Sequence, residues 1–253
     1  NSPAPNASPW PYKTDPSVSP WLMTTLFSSS TPITASPAAS MDAHDNIWVY
    51  FGTGKYYSVS DKTDPTKQRF YGIKDACAYG ACSAADEIAL ADLYPSTDII
   101  VLTNRQVIGA AANTWNAFVE EVQAKKGWYI NLASGGERLL TRPGILGGVV
   151  VFAPYTPVAD ICQSGGTGAV YALYYETGTG YPKPILTTEA YGGDKKSVTR
   201  IDLGEGLTSE IGLHVGRKAE STGFIQQSTG AVVQVDVDPA LNIKSGLVGW
   251  QQH

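Results

Sequence analysis

Short apolar runs, each closed by a turn-former, set the pattern of this chain. Val, Ile, Leu and aromatic residues gather in brief stretches, and Gly, Pro, Asp or Asn stands between them. Such punctuation predicts strands over 21–27, 32–37, 47–51, 69–73 and 98–103. The series continues over 127–132, 148–153, 169–175, 223–227 and 231–235. Trp48, Phe51, Phe70, Trp128, Leu132, Phe152 and Leu173 are the expected core. Strands this short and this numerous point to an all-β sandwich, barrel or propeller.

One stretch keeps a different period. Between 113 and 127 the apolar residues Trp115, Phe118, Val119 and Val122 fall on one helical face. Asn113 or Thr114 can cap its start, Glu121 can pair with Lys125, and Gly127 suits the position after its end. Ser83-Ala84-Ala85-Asp86 could open a second, shorter helix. Residues 1–20 carry prolines at 3, 5, 9, 11, 16 and 20 and read as an extended lead-in. No linker composition follows, so 21–253 reads as one domain.

Composition narrows the class further. Charged residues are 16% of the 253, against roughly 25% in an ordinary soluble domain. With 26 glycines, 16 prolines and 14 tyrosines, the chain is unlike a helical bundle or coiled coil. A net charge of −5 speaks against nucleic acid as a partner, since that needs clustered Lys and Arg. No apolar run approaches the length of a membrane-spanning helix, so no transmembrane segment is expected.

Local motifs for chemistry mostly fail on spacing. Gly52-Thr53-Gly54-Lys55 lacks both the earlier Gly and the following Ser or Thr of a phosphate-binding loop, so it reads as a strand ending in a Gly-rich turn. No GxSxG occurs, and His44, His214 and His253 show no triad or zinc spacing. Asp42, Asp45 and Asn46 place oxygens close together without the DxDxDG calcium pattern, and read as a turn between two strands. Neither a metal site nor a cofactor is evident. Cys77 and Cys82, around a central Gly80, can close as a small disulfide hairpin or remain two free thiols. Cys162 is then the odd cysteine, which suggests a partner outside this chain. Tyrosines spread along the strands suit contact surfaces or cross-strand packing, and packing is the reading for most.

The order of motifs is more telling than any one of them. Trp48 to Tyr57 (WVYFGTGKYY) is followed by Gln68 to Asp75 (QRFYGIKD) and then by Lys126 to Leu132 (KGWYINL). Gly136-Glu137-Arg138 comes next, and Ser245 to Trp250 closes the series. This order resembles the C-terminal β-propeller of the PilC/PilY family of type IV pilus tip-associated adhesins. The resemblance implies an all-β chain supplying the C-terminal blades of a modified β-propeller, with one short helical insertion. It implies a non-enzymatic adhesin or pilus-biogenesis module, extracellular, at the pilus tip or outer surface of a Gram-negative bacterium. Its expected partners are the remainder of the propeller or an N-terminal adhesin chain, pilin or minor pilins, and a host or abiotic surface. Where the family binds calcium, that site would lie in the part of the propeller missing here, because no matching loop is present. The ending Gly249-Trp250-Gln251-Gln252-His253 departs from the family's more basic close.

Within this reading Tyr56, Tyr57, Trp115 and Phe118 are expected as exposed contacts. Two alternatives stand beside it. A polysaccharide-acting hydrolase would need convergent carboxylates such as Asp75, Glu137 and Asp160, and a structural subunit of an extracellular filament would need none.

Overall fold

The computed structural model describes residues 25–75, 87–160, 165–215 and 221–241. Cys77, Cys82, Cys162, the lead-in over 1–20, the strand expected over 21–27 for most of its length and the helix expected from Ser83 lie outside these residues.

Strands β1 (Ala38–Met41), β2 (Ile47–Gly52) and β3 (Arg69–Asp75) open the fold, with the one-turn helix α1 (Val59–Lys62) between β2 and β3. After a 3-10 turn come β4 (Tyr94–Pro95), the hairpin β5 (Ile100–Val101) and β6 (Val107–Ile108), helix α2 (Trp115–Gln123) and β7 (Gly127–Asn131). These build a five-stranded sheet in the order β1-β2-β3-β7-β4, antiparallel except where β4 meets β7. A second sheet follows from β8 (Gly144–Leu146), β9 (Val149–Phe152), β10 (Tyr155–Pro157) and β11 (Gly166–Tyr174). The long β11 pairs with β9 and β10, and also with β14 (Arg200–Glu205). The hairpin β12 (Thr187–Tyr191) and β13 (Asp194–Val198) stands apart, and β15 (Gly212–Val215), β16 (Ser221–Gln226) and β17 (Val232–Asp236) form a third, three-stranded sheet.

Alternation along the strands explains how these sheets stack. Trp48 and Tyr50 of β2 and Phe70 of β3 point into the main core. Phe51, Tyr71 and Ile73 turn to the opposite face and meet Ile88 and Leu93. The first sheet is therefore covered on both faces, as a propeller blade between neighbours would be. Its main face meets the second sheet through three stacked rings. Phe70 lies on Phe152 with centroids 3.8 Å apart, and Phe152 lies on Tyr171 at 4.9 Å. Each such aromatic pair contributes roughly 0.5–1.5 kcal/mol beyond its buried area. All seven expected core residues are buried.

Some expectations need correction. The stretch over 32–37 is not a strand, and the first strand lies at Ala38–Met41 instead. Over 98–103 the strand is only Ile100–Val101, followed by a single antiparallel bridge from Leu102 to Lys196. Helix α2 stops at Gln123, and Gly127 opens β7 rather than capping the helix. Gly is needed there because φ is +148° and a Cβ would come 2.3 Å from the Gly72 carbonyl. Glu121 accepts from the Tyr94 hydroxyl at 2.9 Å and from the Ala112 N–H at 3.0 Å rather than reaching for Lys125. The end of α2 is held by another lysine: Lys74 Nζ, over the Trp48 ring, donates to the carbonyls of Gln123 and Lys125. A cation at a helix C-terminus is favourable, because the last carbonyls carry the negative end of the dipole.

The acidic cluster at 42–46 is the expected turn. The Asp42 carboxylate accepts from the N–H groups of His44 and Asn46, from Asn46 Nδ2 and from the Trp48 indole, all within 3.0 Å. Its oxygens are thereby committed, and Asp45 supplies the left-handed residue at φ +64°.

Candidate functional site

The loop between β2 and β3 is held by a dense set of backbone and side-chain bonds. Gly52 and Gly54 begin it, and close approach demands both. A Cβ on Gly52 would come 2.6 Å from Leu139 Cδ2, and one on Gly54 would come 2.4 Å from Arg138 Cβ. The 138–139 segment presses against this turn, with the Leu139 N–H donating to the Thr53 carbonyl at 3.1 Å. The Gly-rich turn serves chain packing.

Arg138, 3% exposed, organises the rest of the loop. Its Nε donates to the Gly136 carbonyl at 2.7 Å and Nη1 to the Lys55 carbonyl at 3.0 Å. Nη1 also donates to the carbonyl of Asp61, and Nη2 donates to that of Asp64 at 3.1 Å. Four of its five N–H groups therefore hold backbone oxygens, three of them in the 55–64 loop. The Asp61 carboxylate supplies a second anchor. It accepts from the N–H groups of Tyr57 and Ser58, each at 2.9 Å, and pairs with Lys55 Nζ at 3.1 Å. The Tyr57 N–H and its neighbours hold the Asp61 carboxyl well below the usual carboxylate range.

This scaffold treats the two adjacent tyrosines differently. Tyr56 is half-buried, set edge-on to Tyr155 at 5.7 Å with the Arg138 guanidinium 5.9 Å from its ring. Tyr57 is 78% exposed and Val59 63% exposed. The loop holds an aromatic and an aliphatic side chain out from a fixed backbone.

Trp115 and Phe118 are not exposed contacts. Trp115 is 5% exposed and Phe118 fully buried. Trp115 meets Tyr174 and Tyr181 edge-on at 5.4 and 5.3 Å, and Phe118 meets Tyr94 at 5.7 Å. The apolar face of α2 is spent on the core.

A groove lies between the end of β7 and strands β11 and β14. Its cavity of about 320 Å³ is lined by Lys67, Ser96, Asp98, Asn131 and Arg200 among others, and a second of about 500 Å³ continues toward Glu189 and Lys196. Most of its charged groups are committed. Arg200 pairs with Glu137 at 3.3 Å and with Asp202 at 2.6 Å, and Lys196 pairs with Glu189 at 3.0 Å. Glu137 is buried and also accepts from the Tyr171 hydroxyl at 3.0 Å and the Ser134 N–H at 3.1 Å. Burial, with the Glu137 charge beside it, pushes the Tyr171 hydroxyl up. This is a structural ion pair joining the two sheets.

Asp75 and Glu137, two of the carboxylates named for a hydrolase, are set at opposite ends of the first sheet. Asp75 ends β3 opposite Ile47, whereas Glu137 follows β7 at the end where Arg69 faces Asn131. Six residues of strand separate those ends, ~20 Å at ~3.3 Å per residue. Paired catalytic carboxyls of glycosidases stand about 5–10 Å apart. Among the described residues, no three His, Cys, Asp or Glu side chains converge as a metal site.

No family model matches the chain. A type IV pilus biogenesis factor PilY1 homolog of Xylella fastidiosa is 28% identical over 152 residues, 56% of this chain and 9% of that protein. A second protein of that description, from the same organism, is 24% identical over 168 residues, 64% of this chain and 13% of its own length. Among solved structures, the C-terminal domain of Pseudomonas aeruginosa PilY1 matches with a TM-score of 0.59 and 19% identity. The match covers 85% of this chain and 48% of that domain.

The chain is similar to the C-terminal region of PilY proteins. It spans about a tenth of the curated PilY1 homologs it matches and about half of the solved PilY1 domain. Its fold class is accordingly that of PilY-type C-terminal blades: all-β and propeller-like, with α2 as the short helical insertion. The FGTGK and GER motifs that carried the resemblance are the two sides of one contact, since Arg138 packs on Gly54 and binds the loop that follows it. No signal of period or composition marks Arg138, because three of its four carbonyl partners lie 74 to 83 residues away.

Proposed function

We propose that this chain is the C-terminal, propeller-like part of a type IV pilus biogenesis factor that works by binding rather than catalysis. The names of its Xylella fastidiosa relatives support pilus biogenesis. Tyr57, 78% exposed on a loop fixed by Arg138 and Asp61, carries the reading of how it acts. An aromatic ring on a rigid support suits a protein contact, because little conformational entropy is lost when it docks. Tyr56 supports the same loop from below.

In this reading the protein is extracellular, at the pilus tip or outer surface of a Gram-negative bacterium. Its partners are the rest of the propeller, pilin or minor pilins, and the surface to which the cell attaches. Among the described residues no helix is long and apolar enough to cross a membrane. Deleting the gene and labelling the complementing full-length protein on intact cells tests this. The expected result is loss of surface pili in the deletion and label on pili or the cell surface after complementation. Unchanged piliation, or label confined to the cell interior, contradicts it.

A further inference from the structure

The interior of the 55–64 loop is built like a cation site. Carbonyl oxygens of Lys55, Asp61, Asp64 and Gly136 surround one guanidinium from two separate stretches of chain. The Asp61 carboxylate sits in the same knot, turned inward and almost fully buried. Hard oxygens with carboxylates close by are the surroundings that cations select. Here the cation belongs to the protein: the Arg138 guanidinium occupies the cage, with the Tyr56 ring beside it at 5.9 Å.

We infer that this cage is a guanidinium-specific site, filled by Arg138, and that the order of the contact loop depends on its occupancy. Three observations carry the step. The oxygens match the fork of a planar cation, taking Nε, both Nη1 hydrogens and one from Nη2. The surroundings are shaped to hold them: Gly136 has φ +76°, and a Cβ there would come 3.0 Å from the Asp64 carbonyl. Arg138 itself cannot drift, because its N–H and carbonyl each bond Tyr155 at 2.9 Å. A spherical ammonium on a lysine stem would reach fewer of the four carbonyls at once. A free guanidinium ion is thus the ligand the empty cage would take.

The test removes the side chain and returns its head group. In Arg138→Ala, hydrogen exchange of the Tyr57 and Ser58 amides is expected to quicken at least tenfold. Millimolar methylguanidinium should restore most of the protection, while urea, a neutral molecule of nearly the same shape, should not. Unaltered exchange in Arg138→Ala overturns the inference, as does equal rescue by urea or rescue by calcium alone. If the variant is unfolded, refolding only in methylguanidinium supports the cage, and failure to refold with it counts against it. Arg138→Lys, which keeps the charge, should fold with these amides still fast; protection equal to wild type contradicts the guanidinium requirement.

Discussion

The indole of Trp128 lies so close over Gly178 that a Cβ at that glycine would come within 2.1 Å of the ring. Gly178 also has φ +69°, a conformation that other residues adopt at a cost of roughly 1–2 kcal/mol. Next to it, the Tyr175 carbonyl accepts from the Trp128 indole at 2.9 Å and from the Tyr50 hydroxyl at 3.2 Å. The turn after β11 is thereby locked against the first sheet. Gly178→Ala should destabilise the protein by about 2–4 kcal/mol, combining overpacking with strain. Urea unfolding measures this; a change under about 0.5 kcal/mol would contradict the packing.

Trp115 and Tyr57 should separate stability from contact. Trp115→Ala removes a buried ring and should cost about 3–5 kcal/mol. Tyr57→Ala removes an exposed one and should stay within about 0.5 kcal/mol of wild type. Chemical denaturation of both variants distinguishes core from tip.

Much of the β framework was legible because burial writes itself into sequence. β2, β3, β9 and β11 bury most of their residues, so their apolar runs stand out. The β12–β13 hairpin was not legible: Glu189 and Lys195 are exposed, and the pair is held by backbone bonds that need no apolar pattern. The helical period at 115, 118, 119 and 122 correctly marked an amphipathic face, and that same pattern argues for burial rather than contact. Arg138 stood out only within the Gly136-Glu137-Arg138 motif, and its role was not legible because long-range bonds to backbone carbonyls leave no trace in side-chain identity.

Acid should loosen the protein through a few carboxylates. Asp61 is held low by the Tyr57 and Ser58 N–H groups, Asp64 by the Thr66 hydroxyl and N–H, and Asp92 by the Ala89 N–H and Lys126. At Asp42 burial acts upward, but the bonds from Trp48, Asn46 and His44 outweigh it. A depressed carboxyl stabilises the fold at every pH above its ordinary value of 3.8 and loses that contribution as the pH falls through the lower folded value. These four groups should therefore leave stability level from about pH 5 to 7 and lower it below about pH 4. Thermal unfolding across that range checks the sign, and Asp61→Asn should weaken the fall at acid pH.

Glu137→Gln separates the structural ion pair from catalysis. It removes the charge facing Arg200 and weakens the acceptor for the Tyr171 hydroxyl, so a loss of about 2–4 kcal/mol is expected. Glycan turnover by the wild-type protein that this substitution abolishes, with stability intact, would favour the hydrolase instead.

The central claim is that the Arg138-held loop is the contact through which a pilus factor acts. Its most direct test is the full-length protein carrying Tyr57→Ala with Val59→Ala, returned to a deletion strain and scored for surface pili and attachment. The account predicts wild-type protein levels and folding with pili or attachment reduced several-fold. Wild-type piliation and attachment in that strain would contradict it.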